Sequence, residues 1–361
     1  MGLIDPRITK QAEILVDHSV KAKKGERIAI VADIAATPLL TEVYKKLIQR
    51  GVSEVSVRLG YEELQEEYYK NASKEQLETF PKMEMQETKN LDCYIYLHAP
   101  QNTRHLSQID SKLLSLRRKV RKPISDWRVE KTRWVISNFP TQALAQEGDM
   151  SLDEYSDFMF TAVNNNDWKK VYKQQESLRK LMDKTKKVRI AGKGTDLTLE
   201  ITGRRAINCA GEFNMPDGEV FTGPLENKTE GFVEFSYPAL YGGREFHDVR
   251  LEFKKGKVVR ATASKNEEAL NEILNTDPGA RILGELGIGN NFKINKFTKD
   301  ILFDEKIGGT VHLALGSGYT ETKSRNKSAI HWDMIKDLRT GGELYFDGKL
   351  VQKNGKWRIK L

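Results

Sequence analysis

The sequence predicts two domains of different class. An N-terminal α/β domain of βαβ units with a mainly parallel sheet spans residues 1–187, helical connector included, and a mostly antiparallel α+β domain spans residues 188–361. Three observations carry this. At 361 residues the chain is too long for one ordinary core. Short apolar runs alternate with helical spacing in the first half, as βαβ units require. From Val188 onward the texture changes to short strands and glycine-containing turns.

The elements follow in order. Arg27 to Asp33 is an apolar run of strand length. Thr37 to Arg50 carries helical spacing through Leu39, Leu40, Val43, Leu47 and Ile48, and Gly51 stops it. Val52 to Leu59 alternates like a strand, Tyr61 to Phe80 is polar and helical, and Leu91 to Leu97 and Thr132 to Ser137 are further strands. Ser151-Leu-Asp-Glu154 reads as a capping box. The helix after it, Asp167 to Lys186, has a Trp168, Val171, Leu178, Met182 stripe expected to pack against the neighbouring domain. In the last part, turns are expected at 192–194, 254–257 and 346–349, and one helix at Asn266 to Leu274.

Composition narrows the class. A 39% hydrophobic and 30% charged chain suits a soluble globular protein. No apolar run approaches the ~20 residues of a membrane span, and the first residues lack a signal-peptide core. Pro6 stands where a myristoylation motif needs Ser or Thr. Two distant cysteines, Cys93 and Cys209, argue against a disulfide framework and for the cytoplasm. The net charge of +8 arises from 59 basic against 51 acidic residues, so the surface is mixed. One basic cluster, Arg117, Arg118, Lys119, Arg121 and Lys122, precedes Trp127 and Trp134. It reads as a solvated loop ahead of a strand rather than a nucleic-acid grip.

Five good ligands for a divalent metal lie in the last part of the chain: Glu219, Glu285, His312, His331 and Asp333. Three carboxylates with two imidazoles suit two adjacent ions, a recurring device for attacking an unreactive bond with water. His331 and Asp333 are spaced i, i+2, so a strand points both to one face. His312 sits between Val311 and Leu313, and Glu285 lies in Gly-Glu-Leu-Gly-Ile-Gly, whose glycines suggest a crowded backbone. Asp217 is expected to hold the Pro-Asp-Gly turn, which leaves Glu219 free as a ligand. Each of these, taken singly, also fits an ordinary strand face. His18, His98, His105 and His247 lack companions at ligand spacing. No His-Glu-x-x-His, Walker loop, Gly-x-Ser-x-Gly elbow or dinucleotide fingerprint occurs.

Four blocks together resemble one family. They are Asn-Met-Pro-Asp-Gly-Glu-Val-Phe-Thr-Gly-Pro from Asn214, Gly-Glu-Leu-Gly-Ile-Gly from Gly284, Asp304 through His312 to Tyr319, and Asn326 through His331 and Asp333 to Leu338. In order and spacing they are similar to the thermophilic aminopeptidases of peptidase family M29, and the likeness covers essentially the whole chain. The resemblance implies a two-metal exopeptidase with Glu219, Glu285, His312, His331 and Asp333 as ligands and Tyr319 as a catalytic residue beside them. It also implies cobalt or zinc, a cytoplasmic homodimer, peptide substrates with a free N-terminus and hydrophobic first residues. Glu219 or Glu285 then serves as both ligand and general base, and Tyr319 donates to the developing oxyanion. The rival readings are a metal-dependent hydrolase of an ester or phosphate, and a non-enzymatic nucleic-acid-binding protein using residues 117–122.

Overall fold

The computed structural model describes residues 5–361. They form two compact units, residues 5–166 with Gly211–Pro216, and Asp167–Ala210 with Asp217–Leu361.

The first unit is built on a five-stranded parallel sheet. Its order is Glu54–Gly60, Arg27–Asp33, Cys93–His98, Arg133–Asn138 and Asn214–Met215. Ile28, Ala29, Ile30 and Ala32 are buried, which explains the continuous apolar run of that strand. Helix Thr37–Gln49 buries Leu39, Val43 and Leu47, one side chain per turn, and stops before Gly51. The predicted capping box opens helix Leu152–Asn164 with both of its hydrogen bonds formed.

The basic cluster corrects an expectation. Residues 117–122 lie not on a loop but inside the 21-residue helix Ser111–Lys131. Pro123 inside the helix and the burial of Ile124 alone erase the apolar stripe that would have revealed it. Several of its cations are engaged. Arg117 donates to the carbonyls of Leu77 and Thr79, Arg121 pairs with Glu84 at 2.6 Å, and Lys122 pairs with Asp126 at 2.6 Å.

The second unit contains two antiparallel sheets. The larger has eight strands between Lys187 and Trp357, and its hairpins turn at the three predicted places. The smaller runs His331–Asp337, Thr310–Gly316, Leu283–Gly289, Glu219–Thr222 and Ile207–Cys209. Leu286, Ile288, Leu313, Trp332 and Met334 from the smaller sheet share one core with Val188, Leu197, Val233 and Leu251 from the larger. One face of the smaller sheet is thereby spent on stability, and the other is left for chemistry.

The expected boundary at 187/188 differs from these units in two places. Helix Trp168–Lys184 belongs to the second unit, because Leu178 and Met182 enter its core. Residues 211–216 return to the first unit, where Asn214 pairs with Ile136. A two-residue strand carries no periodicity that could announce its sheet. Among the described residues no helix is long and apolar enough to cross a membrane.

Candidate metal centre

Register assembles the five predicted ligands. Gly289 pairs with Glu219, Gly287 with His312, Glu285 with Ala314, Ala314 with Asp333, and Gly316 with His331. Paired residues share a face, and alternate residues along a strand share a face. Glu219, Glu285, His312, His331 and Asp333 therefore all project from the same side of the smaller sheet. Four of the residues beside them on that side are small (Gly287, Gly289, Ala314 and Gly316), which makes room for the longer side chains. A register shift between Leu283 and Glu285 lets Glu285 oppose Ala314.

The donor atoms converge. His312 Nε2 is 3.0 Å from Glu219 Oε2 and 3.2 Å from Glu285 Oε1. His331 Nε2 is 3.6 Å from Glu285 Oε2 and 3.3 Å from Asp333 Oδ2. Two triads result, Glu219–Glu285–His312 and Glu285–His331–Asp333, each with its donor atoms within 4.8 Å of one another. Glu285 belongs to both. His331 is oriented by its Nδ1, 2.7 Å from the carbonyl of Ser317. Such support of the second ring nitrogen is typical of ligating histidines.

The electrostatics call for added positive charge. Burial alone would favour neutral imidazoles, yet Glu219 and Glu285 push His312 up to about 10. Burial acts the same way on His331, and Asp333 and Glu285 overcome it, again to about 10. Burial would raise Glu219, but the Lys306 charge and His312 hold it below the ordinary carboxylate value. Asp333 is likewise held low by His331 against the effect of burial. Glu285 is raised, by burial first and by the Asp333 charge.

These residues fit divalent metal. Buried Asp333 Oδ1 makes no hydrogen bond, and Glu219 Oε2 lies near His312 outside hydrogen-bonding geometry. Buried donors left without hydrogen bonds are costly unless something else satisfies them. Mixed carboxylate and imidazole ligands suit zinc, cobalt and their neighbours.

Sequence patterning missed two members of this cluster. Lys306 is fully buried, with Nζ 3.3 Å from Glu219 Oε1 and in contact with Glu305. Glu305 itself forms a further triad with His312 and Asp333. In the sequence, Asp304-Glu-Lys resembles any charged turn, and no local signal marks a lysine that will be buried. Cys209 and Asp217 also approach Glu219, and burial raises the Cys209 thiol well above its usual range. Asp217 accepts from the Gly218 amide at 2.9 Å, in keeping with its expected turn role.

Tyr319 stands at the rim. Its ring meets His331 edge-on at 5.3 Å between centroids and Phe221 at 5.4 Å. Although the residue is 48% exposed, partial desolvation of the phenol and the charges of Glu285, Asp333 and Glu219 raise its pKa, so it keeps its proton at neutral pH.

The profile of the family described as thermophilic metalloprotease (M29) matches residues 4–357. The chain belongs to that family. As an M29 member the protein is a metal-dependent hydrolase, and the cluster above supplies candidate ligands for its metal. The M29 chain is 25% identical to Aminopeptidase 2 of Geobacillus stearothermophilus over 416 aligned positions, covering 100% of both. It is 26% identical to Aminopeptidase AmpS of Bacillus subtilis over 414, covering 99% of this chain and 100% of the relative. The solved structure of wild-type AmpT from Thermus thermophilus shares the fold, with a TM-score of 0.88 over 99% of this chain and 100% of that one, at 22% identity.

Proposed function

We propose that the protein is a two-metal aminopeptidase that releases the first residue from peptides with a free N-terminus. The observation that carries this reading is the pair of donor triads sharing Glu285. Glu219, Glu285 and His312 would hold one ion, and Glu285, His331 and Asp333 the other. Bound there, divalent ions supply an acidified water near neutral pH and polarise the scissile carbonyl.

The remaining work falls to the chain. A carboxylate must carry the proton from the water to the leaving nitrogen. Glu219 and Glu285 are the two candidates for this role: Glu219 lies between Lys306 and His312, and Glu285 between the two imidazoles. Tyr319, which keeps its proton, donates one hydrogen bond to the carbonyl oxygen as negative charge builds there. A free α-amine held at this site would confine cleavage to the first bond.

Cobalt or zinc, a preference for hydrophobic first residues, a homodimer and a cytoplasmic location complete the reading; the family resemblance supports all four. The aminopeptidase names of the full-length relatives support the peptide substrate. The test is metal analysis of the purified protein together with trimming of a leucine-led peptide. Two divalent ions per chain are expected, with activity abolished by chelation and restored by cobalt or zinc. Full activity in a metal-stripped sample would refute the proposal. Light scattering tests the dimer, and the mass of a single chain at every concentration would contradict it.

A further inference from the structure

The His331–Asp337 strand is the outer strand of its sheet, with a pairing partner on one side only. The Ile330 carbonyl accepts from the Ser317 amide at 2.7 Å on the inner side, and the Ile335 carbonyl accepts from the Ser236 amide at 3.0 Å on the outer side. Antiparallel alternation then turns the main-chain groups of His331, Asp333 and Ile335 outward. Ser236 closes that edge at Ile335 and, through its hydroxyl, at the Asp337 amide. Among the described residues no backbone group pairs with the outer edge at Asp333.

A cavity of about 200 Å³ opens at this edge, lined in part by His331 and Asp333 themselves. Its apolar walls include Pro238, Leu240, Tyr241, Phe297, Ile301 and Met334. Phe297 is fixed by stacking on Tyr237, with ring centroids 4.6 Å apart. The two charged lining residues outside the donor cluster are already engaged. Lys299 is 3.3 Å from Glu245, and Asp304 accepts from the Thr298 amide at 2.7 Å and its hydroxyl at 3.0 Å. Space walled by apolar groups, touching the donor cluster and beside an open strand edge, suits one apolar side chain whose main chain lies along that edge.

We infer that this cavity is the subsite for the side chain of the substrate's first residue, and that the open edge at Asp333 positions the substrate main chain. The inference rests on the aminopeptidase reading and adds to it where the residue is held and what selects it. A leucine or phenylalanine side chain removes apolar surface from water there. With Asp333 holding metal, a lysine side chain would meet no other unengaged carboxylate on the described walls.

Ile301 is the residue to alter, because it is 47% exposed at a helix start and lies outside the buried core. Ile301→Trp narrows the cavity. It should lower kcat/KM for leucine- and phenylalanine-led arylamides by about tenfold or more, with alanine-led substrates changed little. Ile301→Ala should favour the larger first residues instead. A binding measurement separates selection from turnover: leucinamide should raise the melting temperature of the metal-loaded wild type, lysinamide should not, and Ile301→Trp should lose the shift. An equal fall for all substrates in Ile301→Trp, with the leucinamide shift retained, overturns the inference and leaves the aminopeptidase reading standing. A wild type that trims no peptide overturns both.

Discussion

His312 lies against Gly287 of the neighbouring strand: a β-carbon on Gly287 would come within 1.9 Å of His312 Nε2. The absence of a side chain at 287 is what allows the imidazole to reach Glu219 and Glu285.

Gly287→Ala should therefore push the imidazole off its donors. About an ångström of displacement is enough to cost ~10²-fold in rate. The expected result is a loss of bound metal and of activity with a largely preserved fold. Metal content and circular dichroism measured on one preparation check it, and an alanine variant with full metal content would show that the imidazole has room to move.

Asp333→Ala should lose one metal ion and nearly all activity while the domain stays folded. The opposite face of its strand, through Trp332 and Met334, remains in the core. Equal metal content in variant and wild type would reduce His331 and Asp333 to an ordinary strand face.

Lys306 tests the charge balance of the cluster. Lys306→Met removes the buried cation beside Glu219 and leaves the carboxylate without it. Breaking a buried pair in this way costs about 3–5 kcal/mol. The metal-free variant should melt well below the metal-free wild type, and saturating metal should recover much of the difference. Matching melting curves in the metal-free state would mean that the ammonium contributes no net stability.

Tyr319→Phe should leave metal content and melting temperature nearly unchanged and lower turnover by about 10²–10³, with a smaller change in KM. A tyrosine that only packs against His331 and Phe221 would give the reverse pattern, lower stability with unchanged turnover.

The pH dependence of stability has a contributor far from the metals. Asp33 Oδ2 lies 2.9 Å from His98 Nδ1 and accepts from the Ala99 amide at 2.8 Å. Burial would raise this carboxyl, but the His98 and Ala99 hydrogen bonds hold it below its ordinary value of 3.8. A depressed folded pKa stabilises above the unfolded value and is lost as pH falls through the folded one. Asp33→Asn should cost about 1–2 kcal/mol at neutral pH and progressively less as pH falls below 3.8. Urea midpoints for both proteins between pH 3 and pH 7 provide the comparison, and a pH-independent gap would assign the effect to packing.

Part of the site is legible in the amino-acid sequence. The i, i+2 spacing of His331 and Asp333 places both on one strand face, because side-chain alternation is a property of the extended backbone itself. The capping box at Ser151 and the three hairpin turns are legible for the same reason: they depend on contacts within a few residues. The four blocks carrying the family resemblance point to the same five candidate ligands.

Tertiary structure decided how those ligands meet. Glu219 and His331 are separated by most of the second unit, and only the register across four strands brings them to one cluster. Register is set by which face of each strand is buried and by one irregularity before Glu285, and neither is written in a local pattern. The same holds for Lys306 and Glu305, whose place beside Glu219 and His312 no spacing rule predicts, and for residues 117–122, where Pro123 hid a helix. Sequence by itself determined the fold class, the chemistry of the donors and the face on which two of them lie. Long-range strand pairing determined that five donors and a lysine share one buried site, because its partners are chosen by the core they bury and not by their neighbours in the chain.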